Sequence, residues 1–231
     1  MTLGKILSEK PEYQQNMTER IHSDKIMSKE GSFMNLSLEN RWLELQIATQ
    51  CAPLLAGLKP SNLLILPESR MHDLKNVLKD TRFSFYRLSK AGGREVYLLY
   101  QVSELVYYLT EPKVQEMLKE LGYAELQLGR LLKIIAEKYE SHQSRGTEFP
   151  HELGLVLGYP VVDVRGFMQH DGKNFLYSGY WKVYGNLKGT RRLFQEFKKA
   201  KEVTVELALI GYSIADIVKF CHGIRVLRPA V

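Results

Sequence analysis

The sequence predicts an α/β or α+β protein: a single domain with a mixed sheet of about four strands, helices packed on it, and helix in the majority. Three observations predict this. Stretches 62–66, 82–88, 95–101 and 174–184 are short and rich in Leu, Ile, Val, Tyr or Phe, as strands are. Stretches 103–140 and 188–209 repeat apolar residues at three- and four-residue intervals, the period of a helix with one buried face. Helical and strand-like segments also alternate along the chain, which sets helices against a sheet.

The elements follow in order. Residues 1–35 are polar, and their isolated apolar residues hold no sustained period. Such a stretch buries too little to offset its ordering entropy, so it predicts a loosely ordered extension dispensable for folding. Residues 36–222 form the globular domain and 223–231 a tail. Ser37 or Asn40 is placed to cap a first helix, with Leu43, Ile47 and Cys51 on one stripe. Pro53 must kink or restart it, because proline has no N–H and clashes with the preceding turn. Gly57 is a stop. Asn62–Leu66 suits a buried strand, and Glu68–Leu78 has helical spacing at Met71, Leu74, Val77 and Leu78. Arg82–Leu88 and Glu95–Gln101 flank Gly92-Gly93 and predict a hairpin with a longer loop.

Pro112 opens a helix that Gly122 ends, and Leu126 to Tyr139 predict another. Helices at 150–157 and 160–169 lead to a turn at Asp171-Gly172. A strand over Asn174–Tyr184 and a long helix over Lys188–Leu209 follow. Gly211 stops that helix, and Ser213 caps a last one reaching Cys221.

Composition excludes several classes. The chain has 231 residues, 45% hydrophobic and 25% charged, as an ordinary globular protein has. Its apolar runs fall well short of the roughly 20 residues that span a bilayer, and no basic region leads into an apolar one at the N-terminus. Two cysteines make no disulfide framework, so reduced thiols in a cytoplasmic protein are the reading. The net charge of +6 lies entirely in residues 182–231, which hold ten Lys or Arg against four Asp or Glu. No G-x-G-x-x-G or Walker pattern occurs, and no histidine and cysteine spacing marks a metal site.

Three motifs occur in a fixed order. They are Cys-Ala-Pro-Leu-Leu-Ala-Gly-Leu-Lys-Pro at 51–60, the Phe149–Tyr159 segment, and Gly-Lys-Asn at 172–174 followed by Gly-Tyr-Trp-Lys-Val-Tyr-Gly at 179–185. In this the chain resembles a bacterial family known as domain of unknown function 3793, over about Asn40 to Ile217. The resemblance implies a protein of uncharacterised activity, with a link to iron or redox metabolism. The basic C-terminal end departs from the family's pattern.

The candidate residues fall in these motifs. Cys51 stands just before Pro53, near a helix start that would stabilise a thiolate, and His151 would be its base. Both also have a bland reading, Cys51 as a small core hydrophobe and His151-Glu152 as the first turn of a helix. Alternation over Gly172–Tyr184 puts Phe175, Tyr177, Gly179, Trp181 and Val183 on one strand face, and Tyr180, Lys182 and Tyr184 on the other. Lys59, Glu152, Lys173, Tyr180, Trp181 and Lys182 are the candidate ligand-binding residues. Trp181 is expected to pack on Phe194 and Phe197. The leading reading is a binding protein for an unidentified small molecule or protein partner, with no cofactor named. A cysteine-dependent enzyme is the alternative. Weak nucleic-acid binding through Arg191, Arg192, Lys198 and Lys199 ranks last.

Overall fold

The computed structural model describes residues 31–68, 73–123 and 127–226. The chain divides into two compact units, Met1–Trp42 and Leu43–Val231. Helix α1 (Gly31–Gln50) begins ahead of the caps expected at Ser37 or Asn40, which lie inside it. The rest of the extension expected over 1–35 falls outside the described residues. The architecture below is that of the second unit.

One sheet organises this unit. Strands β1 (Ser61–Pro67), β2 (Phe83–Ala91) and β3 (Arg94–Gln101) pair antiparallel in the order β1–β3–β2, with Leu63 opposite Leu98 and Phe85 opposite Leu99. The central strand is apolar on both sides: Val96 and Leu98 face one way, Tyr97 and Leu99 the other, and all are buried. Gly92 and Gly93 both have positive φ and close a two-residue turn, shorter than the loop expected, because two glycines meet the left-handed geometry that such a turn requires. The pairing shifts between Arg87 and Ser89, which buries Leu88 and Ser89 together.

Helices cover the sheet. Val96 and Leu98 join a core with residues of α4 (Val102–Leu109), α5 (Pro112–Glu120), α6 (Leu128–Arg145), α7 (Glu152–Val156) and α8 (Val161–Gln169). A second layer packs α2 (Ala52–Leu55) against β1, the long α9 (Leu187–Leu209) and α10 (Ile214–Val226), with α3 (Leu74–Leu78) against α10. Thr204 ties that layer to α1 by donating from Oγ1 to the Ala48 carbonyl at 2.9 Å.

The punctuation acts as expected. Pro53 sits in the first turn of α2 after the chain breaks at Cys51, and Pro112 opens α5. Gly57, Gly122 and Gly211 end helices at positive φ, and Ser213 Oγ caps α10 through the Asp216 N–H. That helix runs past Cys221 to Val226, and residues 227–231 lie outside the described set.

The fold class stands, with two differences. The sheet is antiparallel and three-stranded rather than mixed with about four strands. The segment 174–184 folds back on itself as a ribbon, β4 (Tyr177–Ser178) with β5 (Lys182–Val183). Gly179 donates to the Trp181 carbonyl at 3.1 Å, and Leu176 to that of Val183 at 2.8 Å. Phe194 occupies the space where a Cβ at Gly179 would stand, so only glycine lets the chain turn this close to α9. Trp181 and Val183 are buried as alternation required, but Phe175 sits on the opposite arm and is exposed.

Candidate functional site

The ribbon is held to α8 by one carboxylate. Asp163 Oδ1 accepts from the backbone N–H groups of Tyr184 at 2.8 Å and Gly185 at 2.9 Å, and Oδ2 accepts from Trp181 Nε1 at 2.7 Å. The carboxylate is buried, and these three donors compensate its loss of water. Trp181 is thereby fixed in a stack of rings. Tyr159 lies 4.7 Å from it and nearly parallel, and Phe194 meets it edge-on at 4.6 Å.

Between α6, α7, α8 and the ribbon lies a cavity of about 230 Å³. Its walls include the rings of Tyr139, Phe149, Tyr159, Phe167 and Trp181, with Leu63 and Leu157. His151 and Lys182 stand at its polar edge. The His151 ring is tilted between Phe149, at 5.8 Å, and Phe167, at 5.6 Å. Its imidazole makes no hydrogen bond among the described residues, and Glu148 Oε1 is 4.0 Å from Nε2. Lys182 is less free. Its Nζ donates to the Gly172 carbonyl at 2.7 Å and lies 5.5 Å from the centre of the Phe167 ring and 5.2 Å from that of Phe175.

A more polar cavity of about 530 Å³ adjoins the first, and Phe149 and His151 line both. Glu152 and Lys138 line the second. Glu152 is buried and accepts from Tyr123 Oη and, at 3.0 Å, from Lys138 Nζ; Lys138 also donates to Tyr123 Oη at 2.6 Å. Burial and the bond to Glu152 push the Tyr123 phenol above its ordinary pKa. Burial alone would lower the Lys138 pKa, but its bonds to Tyr123 and Glu152 outweigh that and hold it above the usual lysine value.

The expected site residues therefore separate. His151, Trp181 and Lys182 meet at one cavity, with Glu152 at its neighbour. Tyr180 lines a different groove, on the α9 side of the ribbon. Lys173 is in solvent, 3.6 Å from Asp171. Lys59 donates to Asn62 Oδ1 at 3.1 Å and lies 5.1 Å over the Tyr159 ring; burial lowers its pKa to about 8.

Cys51 does precede a helix, but that helix has four residues and the thiol is wholly buried, 3.6 Å from the Leu63 carbonyl. Burial pushes its pKa up to about 12, only partly opposed by Lys59 and Asn62. The stabilisation expected from the helix start is thus outweighed, and Cys51 lines neither cavity that His151 lines.

Asp163, Tyr159, Phe149 and Phe167 were not anticipated as site residues. The one available signal was an Asp inside the apolar run Val161-Val-Asp-Val164. Among the described residues no group of three or more His, Cys, Asp or Glu is placed to hold a metal ion, and no helix is long and apolar enough to cross a membrane.

No curated protein matches the chain, and no solved structure does. The match lies with a family model that covers residues 47–218, from the α1 stripe through the ribbon and α9 into α10. The chain belongs to that family, described as Protein of unknown function (DUF3793).

Proposed function

We propose that this protein binds a small, flat, largely apolar organic molecule in the aromatic cavity between α6, α7, α8 and the β4–β5 ribbon. One observation carries the reading. Five aromatic side chains surround a space of about 230 Å³, and the His151 imidazole at its edge has no hydrogen-bond partner among the described residues. A cavity of about 150 Å³ with apolar walls admits benzene, so this one has room for a one- or two-ring molecule. Rings that are already stacked and anchored lose little freedom on binding, which favours affinity. His151 supplies the one directional contact, and the Lys182 ammonium supplies positive potential without leaving the Gly172 carbonyl.

Calorimetry and thermal unfolding with indole, 1-naphthol and benzoate test this. At about 1 mM, a ligand with a Kd of about 10 μM adds about 2.7 kcal/mol of stability. At least one of these probes is expected to raise Tm, and His151→Leu to weaken that probe about tenfold while the protein stays folded. No shift with any of the three overturns the proposal.

A further inference from the structure

The ribbon has a second working face, separate from the cavity. On its α9 side lies an open groove of about 540 Å³. Tyr177, Tyr180 and Phe194 give it aromatic walls, Arg191 and Lys198 give it charge, and no carboxylate is among the residues that line it. Both cations are exposed, and neither is in an ion pair with another described residue. The Arg191 guanidinium lies 4.8 Å from the centre of the Tyr177 ring. Tyr180 is 47% exposed, yet its ring is held by Phe194 at 5.2 Å and Phe197 at 5.1 Å. An exposed ring and a half-buried one thus stand beside two exposed cations, with the Glu202 carboxylate near enough to act on the Tyr180 phenol.

Arg191 and Lys198 are seven residues apart on one helix, hence on one face and about 10.5 Å apart along its axis. That spacing suits two non-adjacent phosphates of an extended strand better than a single anion. The excess positive charge of the whole chain lies in residues 182–231, which include this helix.

We propose that this groove binds single-stranded nucleic acid, with unpaired bases stacked on Tyr177 and Tyr180 and two phosphates held by Arg191 and Lys198. A duplex would meet the cations but could not offer its base faces to the rings. An acidic peptide would meet the cations and leave the rings without planar partners. A neutral partner would leave both charges unpaired. This inference is independent of the ligand in the aromatic cavity, since the two sites share no lining residue.

The test is fluorescence anisotropy of the full chain with a labelled oligo-dT, an RNA of equal length and the matching duplex, at about 50 to 200 mM salt. Single strands are expected to bind at least about tenfold tighter than duplex, with log affinity falling by about 1.4 per decade of salt, two phosphates at about 0.7 each. Arg191→Gln and Lys198→Gln should each lower that slope by about half. Tyr180→Leu should leave the slope unchanged and weaken binding about tenfold. Because Tyr180 touches the core, Tyr177→Leu serves as a second stacking variant, and circular dichroism establishes that each variant is folded. No anisotropy change at low salt, equal affinity for duplex, competition by poly-glutamate as strong as by oligo-dT, or indifference to the Arg191 and Tyr177 changes would each overturn the proposal.

Discussion

Trp181 and Asp163, eighteen residues apart, are joined by a 2.7 Å bond from the indole N–H to a buried carboxylate that also accepts two backbone N–H groups. This single side chain determines where the ribbon sits. It lines the cavity and anchors the ribbon whose Tyr177 and Tyr180 line the groove, so its loss should be felt at each. Asp163→Ala strands a buried indole N–H and frees two backbone donors, at about 1–3 kcal/mol for each donor left unsatisfied. A total loss of about 3 kcal/mol is expected in urea unfolding. Asp163→Asn should lose less, because its carbonyl still serves the backbone pair. Equal stability of wild type and alanine variant would show that the anchor is dispensable.

Trp181→Ala should cost about 3–5 kcal/mol, the usual range for emptying a large aromatic site. The indole is 8% exposed and packed on Tyr159, Phe194 and Phe197, so little can collapse into the space. Differential scanning calorimetry measures it, and a loss under about 1 kcal/mol would mean that the rings close over the gap.

Gly166 should resist substitution. A Cβ there would stand 2.5 Å from Tyr184 Cβ and against its ring, while Tyr184 is pinned through its N–H to Asp163. Alanine ordinarily improves a helix interior by about 1 kcal/mol. Here overpacking of about 1–3 kcal/mol should outweigh it, giving a net lower Tm for Gly166→Ala. A raised Tm would show that the ribbon can shift without cost.

Cys51 should be inert to iodoacetamide in the folded protein at pH 8–9, and reactive once urea unfolds it. Its folded pKa is near 12, against about 8.5 in an unfolded chain. Between those values the native state keeps a proton that the unfolded state has lost, so this group's contribution to stability is complete below about 8.5 and declines as pH rises. Lys59 opposes it. Its folded pKa is near 8, against about 10.4 unfolded, so its unfavourable contribution below 8 is relieved as pH rises toward 10.4. The stability of wild type relative to Cys51→Ala should therefore fall steadily above pH 8.5. Denaturant titrations of both proteins from pH 7 to 10 measure the difference, and a constant difference would show that the thiol is not the cause.

Local features were legible in the sequence because their causes are local. A proline has no N–H wherever it stands, so Pro53 and Pro112 mark helix starts without reference to the rest of the chain. Glycines at positive φ end helices at Gly57, Gly122 and Gly211 for the same kind of reason. Apolar period alone placed the α9 stripe of Phe194, Phe197, Thr204 and Leu207, all buried. Family membership was legible too, because three motifs in order survive as strings of residues.

Tertiary structure decided the rest. Alternation cannot tell a strand that joins a sheet from one that turns back, so 174–184 was read as a fourth strand. The Asp163 anchor and the approach of Phe194 to Gly179 made it a ribbon instead. Chain proximity to a helix start says nothing about burial, so the sequence leaves Cys51 with two readings, a nucleophile and a small core hydrophobe; the folded chain buries it wholly, and desolvation raises its pKa. Alternation set Trp181 and Tyr180 on opposite faces, but spacing could not foretell that His151 would join Trp181 and Lys182 at one cavity while Tyr180, next to Trp181 in sequence, faces a groove on the other side. Those outcomes depend on which distant surfaces exclude water from one another. That is a property of the packed chain and of no segment within it.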